Sequence, residues 1–234
     1  MRSVTVLLSV SAGALGLQVL HGRRNWGATA DEVTAVLPGD ELVPDPAEQT
    51  TLAVTVDAPP TEIWAWLVQI GQDRGGMYSY DRLENVVGLH IHSSDEIRDE
   101  WQDLAAGDQV VVVPRGCGPM PDGYAFRVAT VDPPTALVLR QAPPEHPWNG
   151  VWSFHVVPDG DGRSRLLSRS RTEPQATTGL RIATRAMEPV TLLMTRRMLR
   201  GIKDRAERHA LTADRVPGGT RSPARPDAVR TQRS

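Results

Sequence analysis

The chain is poor in cysteine: Cys117 is the only one among its 234 residues. An internal disulfide therefore cannot form, and a zinc site built from cysteines is excluded. This scarcity is typical of proteins in a reducing compartment. Cys117 itself lies in the Gly/Pro turn at 115–119. Because no supporting histidine can be identified from the sequence, we interpret it as a loop residue without a catalytic role.

The chain also lacks a charge excess and the standard catalytic motifs. Its 26 basic and 28 acidic residues give a formal net charge of −2, so the composition indicates no affinity for nucleic acid. It contains no HExxH, GxSxG, Walker loop or CxxC, and no GxGxxG after a strand. We therefore expect no metal, no cofactor and no dedicated catalytic motif.

An uncharged apolar run extends over Val4–Leu20. As a helix it would be about 25 Å long, at the short end of the range for a bilayer span. Three interpretations are open: a membrane anchor, a helix on the surface of a soluble protein, and a signal peptide cleaved near Ala28–Ala30. For an anchor, the basic stretch 21–24 outweighs Arg2, and the positive-inside rule leaves the folded domain in the cytoplasm. The expected location is the cytoplasm, with or without the anchor.

The residue pattern divides the chain into four segments. These are an apolar helix, a polar connector rich in turn residues, a folded domain and a disordered tail, at residues 1–24, 25–49, 50–212 and 213–234. In the connector, Thr29 and Glu32 have the spacing of a capping box, which predicts a short helix there.

The folded domain begins with a strand that runs into a helix. Alternation of apolar with small or polar residues at 51–57 predicts a half-buried strand. Pro59–Pro60 ends this strand, and Thr61 is expected to cap the helix that follows. On that helix, Trp64 and Trp66 are about 200° apart around the axis, so only one of them can face the core.

Strand patterns and turn residues alternate through the rest of the domain. Five further strands are predicted, at 108–114, 124–131, 136–141, 150–157 and 164–172. A long amphipathic helix follows at 178–210, and Pro189 is expected to kink it or to split off a first segment near Met187. Its predicted apolar face comprises Val190, Leu193, Met194, Met198 and Ile202.

This order of elements resembles the helix-grip fold of the START-like (SRPBCC) superfamily, which includes polyketide cyclases/dehydrases and pollen-allergen-type lipid carriers. The resemblance is carried by VDAPPTEIWAWLVQIG at 56–71, GMYSYDRLENVVG at 76–88 and MTRRMLRGIKDRAE at 194–207. It implies an α+β fold in which a curved antiparallel sheet wraps a long C-terminal helix and encloses a cavity. It implies a ligand but no particular reaction, because this fold hosts transport, sensing and catalysis.

Tyr78, Tyr80, Asp81 and Glu84 form the densest polar and aromatic patch. Asp81 and Glu84 share one face of a predicted short helix, since they are three residues apart. A buried carboxylate here would act as general acid or base, with the tyrosine hydroxyls orienting a carbonyl group. Alternatively, Asp81 caps the helix, Glu84 pairs with an arginine in solvent, and the tyrosines form part of the cavity wall.

Two sets of side chains alternate along the last strand. Arg169 and Arg171 lie on one face, and Ser168 and Ser170 lie on the other. We expect one set to face the cavity and the other to face water. Arginines in the cavity would bind an anionic head group, whereas contact with water is the simpler arrangement for them.

His90, His92, Asp95 and Glu96 are the one cluster in the sequence with the character of metal ligands. Alternate residues of an extended segment point the same way, so the two histidines could meet one ion. A polar loop is the simpler interpretation, and we assign no metal to it.

We expect the cavity to bind or carry a small hydrophobic or amphipathic molecule. The alternative is a polyketide cyclase/dehydrase-like enzyme that uses Tyr78, Tyr80, Asp81 or Glu84, and a third hypothesis is a stress or cell-envelope accessory protein with a filled cavity. Two or more buried polar groups in the cavity would favour the enzyme, and purely apolar walls would favour the carrier. The oligomeric state is not predicted. The residues expected to bind the ligand are Trp66, Tyr78, Tyr80, Trp101, Trp152, Phe154, Arg169, Arg171, Met194 and Met198.

Overall fold

The computed structural model describes residues 24–79, 93–116, 122–143, 146, 148–175 and 177–215. Within these ranges lie the α-helices α1 (Ala30–Thr34), α2 (Pro60–Val68) and α3 (Thr178–Arg215). Two 3₁₀ helices occupy Asp40–Leu42 and Asp99–Trp101. The strands are β1 (Glu48–Val56), β2 (Gln109–Val113), β3 (Tyr124–Asp132), β4 (Ala136–Gln141), β5 (Gly150–Pro158) and β6 (Ser164–Thr172).

The six strands form one antiparallel sheet in the order β1-β6-β5-β4-β3-β2. Register shifts interrupt the β2–β3 ladder between Val111 and Val113 and the β3–β4 ladder between Val128 and Thr130. Such irregularities bend a sheet, and this sheet curves, with α3 and α2 packed against its concave face. The predicted α+β helix-grip fold is thereby confirmed.

The strands predicted from the alternating pattern are confirmed, with each end of the last five within one residue of its expected position. Turn residues explain this agreement. Between β5 and β6, Gly160 and Gly162 adopt φ values of +67° and +75°. Glycine reaches this region without steric cost, so the chain reverses direction there and the two strands pair.

The start of α2 differs from the prediction that Thr61 caps it. Pro60 is the first helical residue and Pro59 is the N-cap, in an extended conformation and without a side-chain hydrogen bond. Proline suits the first helical position because its missing N–H would have no partner there. The prediction for the tryptophans is confirmed: Trp66 is buried in the core, and Trp64 is only partly buried against it.

Helix α3 is continuous and includes Pro189, so of the two predicted effects of this proline the split near Met187 is wrong and the kink stays a prediction. Its predicted apolar face is also partly wrong, because Val190 and Leu193 are 46% and 49% exposed. The reason is that only the second half of α3 packs closely on α2 and the sheet, whereas the first half extends past the core. The side chains buried on α3 are Leu192, Met198, Leu199, Ile202 and Ala206.

Gly201 allows this close packing of α3. A Cβ atom at position 201 would collide with the backbone carbonyl oxygen of Tyr78. Glycine is therefore required sterically at this position, where the backbones of the helix and the segment after α2 approach each other.

The connector forms a third layer on the convex face of the sheet. Its helix α1 begins with the predicted capping box, in which Thr29 Oγ1 accepts from the backbone N–H of Glu32 and Glu32 Oε2 accepts from the N–H of Thr29. The Glu32 carboxylate also binds the Arg165 guanidinium, at 2.7 Å. Deeper in the layer, Val43 packs against convex-face residues of β4 and β5.

Arg169 and Arg171 project into this third layer. The Arg169 guanidinium is 1% exposed and lies 2.7 Å from Asp40 Oδ2, and that of Arg171 lies 3.0 Å from the same carboxylate oxygen. Arg169 also donates to the backbone carbonyls of Glu32 and Ala35. The expectation that one face of β6 meets water is therefore wrong: the arginine face is covered by the connector.

Candidate functional site

A cleft of about 450 Å³ opens between the concave face of the sheet and the first half of α3. The register of the sheet arranges its floor in rows. The row at the open end consists of Glu48, Thr172, Gly150 and Gln141, and the next row consists of Thr50, Ser170, Trp152 and Leu139. Three strand spacings of about 4.8 Å separate β1 from β4, so the floor is about 14 Å wide.

Aromatic rings form one wall of the cleft. Trp152 lies between Phe126 and Phe154, with ring centroids 5.4 Å and 4.8 Å away. The Tyr124 ring meets Phe126 edge to face at 5.6 Å. The Trp152 indole N–H donates to Ser168 Oγ at 2.8 Å, so this donor already has a partner within the protein. The wall offers flat apolar surface to a ligand.

Methionines from α3 and from the segment after α2 complete the apolar lining. Met187, Met194 and Met198 face the cleft from the helix, and Met77 faces it from the other side. Met187 is 57% exposed at the open end, whereas Met198 is buried at the inner end. Methionine is flexible and polarisable, so these side chains can adapt to ligands of different shape.

Two glutamine side chains bring unpaired amide nitrogens to the cleft. Gln141 is 8% exposed, and its Oε1 accepts from the Trp148 indole N–H at 2.9 Å. Its Nε2 is buried without a hydrogen-bond partner among the described residues. The Nε2 atom of Gln72, on the loop after α2, is likewise buried and unpartnered within the described part of the chain.

The charged groups at the open end are paired with each other. Arg24 forms a two-pronged contact with Glu188, at 2.5 Å and 2.8 Å. Glu48 lies 4.0 Å from Arg24 and 3.6 Å from Arg185. The two carboxylates that line the cleft are therefore held by arginines at its mouth.

The aromatic hydroxyl in the cleft stays protonated over the ordinary pH range. Burial raises the pKa of Tyr124 well above its usual value, because the charged phenolate would be desolvated. Burial has the same effect on the pKa of Tyr78 in the core. Tyr124 thus acts as a neutral hydrogen-bonding group and not as a general base.

Three residues predicted to bind the ligand line this cleft: Trp152, Met194 and Met198. Phe154 is fully buried beside Trp152. Arg169 and Arg171 lie on the opposite face of the sheet, as the alternation along β6 requires once Ser168 and Ser170 face the cleft.

Tyr78, Trp66 and Trp101 are placed away from the cleft. The Tyr78 hydroxyl accepts from Gln69 Nε2 at 2.9 Å, and its ring lies 4.8 Å from the Arg205 guanidinium. Trp66 meets the Tyr78 ring edge to face at 6.1 Å. Trp101, in a 3₁₀ helix, has the Arg98 guanidinium 4.8 Å from its ring. These three residues belong to the core and its rim.

Several predictions fall on residues outside the described ranges: Tyr80, Asp81, Glu84, His90, His92, Cys117 and the apolar run Val4–Leu20. Of the four residues with the character of metal ligands, Asp95 and Glu96 are described, and Asp95 lies 3.0 Å from the Arg205 guanidinium. Among the described residues, no group of three or more ligand-type side chains could hold a metal ion. No helix within those residues has the length and apolarity needed to cross a membrane.

Sequence reasoning missed Gln141 and Gln72. A signal for Gln141 was present, because the alternation along β4 places it on the same face as Leu137 and Leu139 at the end of the strand. Gln72 gave no signal, since it lies in a loop whose position depends on the hydrogen bond from its N–H to the Val111 carbonyl.

The fold and cleft define the class of this protein as a helix-grip domain. No protein-family model and no curated protein matches the chain. Among solved structures, it is similar to CalC, a self-sacrificing resistance protein from Micromonospora echinospora, with 14% identity over 69% of this chain and 96% of CalC and a TM-score of 0.40.

Two further solved structures are similar in the same way. One is the Aha1 dimer from Colwellia psychrerythraea, with 15% identity over 68% of this chain and 96% of that one and a TM-score of 0.38. The other is a protein from Thermobifida fusca, with 15% identity over 68% and 93% of the two chains and a TM-score of 0.45. The likeness in all three is one of fold.

Proposed function

We propose that this chain binds a small, largely apolar molecule in the cleft between the sheet and α3. The observation that carries this proposal is a space of about 450 Å³ whose surface is mainly apolar, with aromatic and methionine side chains in its walls and hydroxyl and amide groups placed among them. Ligand sites for small molecules have this size and composition. The floor and the aromatic wall stand on strands of one sheet, so this part of the site is formed before the ligand arrives.

Carriage of the ligand fits the open end of the cleft. Met187 is 57% exposed there, beside the paired Arg24 and Glu188. An apolar molecule entering at this point meets methionine first and the Trp152 ring further in. The mouth therefore suits reversible exchange of an apolar or amphipathic ligand.

A cyclase/dehydrase-like enzyme is the second candidate. The cleft does contain three buried polar side chains, Ser79, Gln141 and Ser168, a feature that favours an enzyme. Hydroxyls and amides form hydrogen bonds, but by themselves they are poor general acids or bases near neutral pH. The two lining carboxylates, Glu48 and Glu188, are engaged by arginines. Binding without acid–base chemistry therefore accounts better for the described lining.

Native mass spectrometry of the full chain tests the binding proposal. We expect a co-purified molecule to add mass to the protein and to be lost in Ser170→Phe, whose ring would fill the second row of the floor. Thr130→Phe is the matched control, because it places the same ring at an exposed position of β3 outside the cleft. A bound molecule that persists in Ser170→Phe to the same extent as in Thr130→Phe would contradict this site.

A further inference from the structure

The geometry points to an uncharged ligand that presents a carbonyl oxygen, such as a ketone, ester or amide, to the side-chain amide of Gln141. This inference rests on the proposed function and specifies the chemistry of the molecule that the cleft takes. Four observations support it: the fixed orientation of the Gln141 amide, the burial of its unpaired donor, a second side-chain amide in the cleft, and the paired charges at the mouth.

The orientation of the Gln141 amide is fixed by its neighbour. The Trp148 indole nitrogen can only donate, and it lies 2.9 Å from Gln141 Oε1. The flipped amide would place its NH₂ group against that donor, so the oxygen must face Trp148. The NH₂ group is then left for the cleft, where no described residue accepts from it.

A buried donor without an acceptor costs free energy, which a bound acceptor would recover. Gln141 is 8% exposed, so its amide has little access to bulk solvent. Gly150 stands directly opposite it on β5 and has no side chain, so the Gln141 amide is open to the floor of the cleft, with its oxygen on the side of Gly150.

Gln72 brings a second side-chain amide to the cleft. Its backbone N–H donates to the Val111 carbonyl at 2.8 Å, which ties its loop to β2 at the edge of the sheet. Its Nε2 is buried and lacks an acceptor among the described residues. No described side chain fixes the orientation of this amide, so the preference for an acceptor rests on Gln141, and Gln72 offers a further group that can hydrogen-bond to the ligand.

The charges around the cleft favour a neutral acceptor over an anion. None of the described lining residues is Lys, Arg or His, and two of them, Glu48 and Glu188, are carboxylates. The nearby Arg24 and Arg185 are engaged by these carboxylates. A ligand carboxylate or phosphate would lose its hydration without gaining a cation. A ketone, ester or amide oxygen accepts the same hydrogen bond without that loss.

Three naphthalene probes of equal size test the inference in the full-length chain: a neutral 2-acyl ketone, the corresponding 2-carboxylate and the 2-alkyl hydrocarbon. We expect the ketone to bind more tightly than the carboxylate. In Gln141→Leu, we expect the ketone affinity to fall about tenfold, the scale of one hydrogen bond, while the hydrocarbon affinity stays the same or rises.

The carbonyl stretch of the bound ketone gives a second readout, which a purely structural role of Gln141 would not move. We expect a lower frequency in the wild-type complex than in the Gln141→Leu complex, because the hydrogen bond weakens the C=O bond. Equal loss of ketone and hydrocarbon affinity, or tighter binding of the carboxylate, would overturn the inference and leave the cleft as a binding site. Failure of all three probes to bind, with no co-purified molecule, would overturn the proposed function as well.

Discussion

Arg169 is one of the largest side chains that are almost completely buried among the described residues, and its position determines how the convex face is built. It bonds to the Asp40 carboxylate, to Thr51 Oγ1 and to backbone carbonyls of the connector. The carboxylate also faces Arg171 at 3.0 Å. One acidic side chain thus compensates two guanidinium groups between the connector and the sheet.

Removing this carboxylate is expected to destabilise the fold strongly. Asp40→Ala leaves Arg169 buried without its counter-ion, and breaking a buried ion pair from one side typically costs about 3–5 kcal/mol. The free energy of unfolding, measured by urea titration, tests this. Asp45→Ala is the matched control, since it removes an exposed carboxylate from the same connector. A loss in Asp40→Ala no greater than in the control would show that the network does not hold the layers together.

Side-chain alternation predicted correctly that Arg169 and Ser168 occupy opposite faces of their strand. It could not predict which face would be covered, because that depends on Asp40, 129 residues away in the sequence. A local pattern fixes relative orientation within a strand. Contacts between distant segments decide what each face meets.

At the scale of elements, helix α3 has two halves with different roles. The second half packs Met198, Leu199 and Ile202 into the core. The first half is largely exposed and lines the cleft through Met187 and Thr191. The sequence pattern predicted this helix correctly, but part of the predicted apolar face is exposed. The exposed apolar residues on the first half have the same spacing as the buried ones, so the pattern alone cannot distinguish them.

Two alanine variants on α3 distinguish the halves. Leu199 is fully buried, so Leu199→Ala is expected to lower the free energy of unfolding by about 2–5 kcal/mol through lost burial and a cavity. Val190 is 46% exposed, so Val190→Ala is expected to change it by about 0.5 kcal/mol or less. Urea titrations measure both. Similar losses in the two variants would mean that the first half also packs against the core.

At the scale of the whole molecule, the chain forms three layers: α2 and α3, the sheet, and the connector. The order of strands and helices predicted the first two layers, because each has a regular hydrophobic period. The third layer could not be predicted, since its segment is polar and is held by hydrogen bonds from Arg165 and Arg169 to Glu32, Asp40 and backbone carbonyls. The cleft was expected from the resemblance to the fold. Its amide groups could not be predicted, because their positions depend on where the loop after α2 and the end of β4 lie.

His155 lies on the convex side of this three-layer assembly and makes its stability depend on pH. It is 3% exposed and lies 2.9 Å from Ser153 Oγ. Burial and, to a smaller extent, the charge of Arg169 together lower its pKa to about 4, against a smaller opposing effect of Asp40. The folded state therefore holds His155 neutral at a pH where the unfolded chain, with a pKa of 6.5, is already protonated.

The sign of the effect follows from proton binding. Between pH 6.5 and about 4 the unfolded chain binds more protons at this histidine than the folded chain does. Above pH 6.5 this group therefore does not reduce the free energy of unfolding, and the free energy of unfolding falls as the pH decreases through this window. The largest loss of unfolding free energy that His155 can cause is about 3 kcal/mol, and it is reached near the lower end of this pH window. We expect His155→Gln, which cannot titrate, to lose less stability than the wild type between about pH 7.5 and about pH 5 in urea titrations. An equally steep decline in the variant would assign the acid sensitivity to the carboxylates and not to a histidine enclosed between the sheet and the connector.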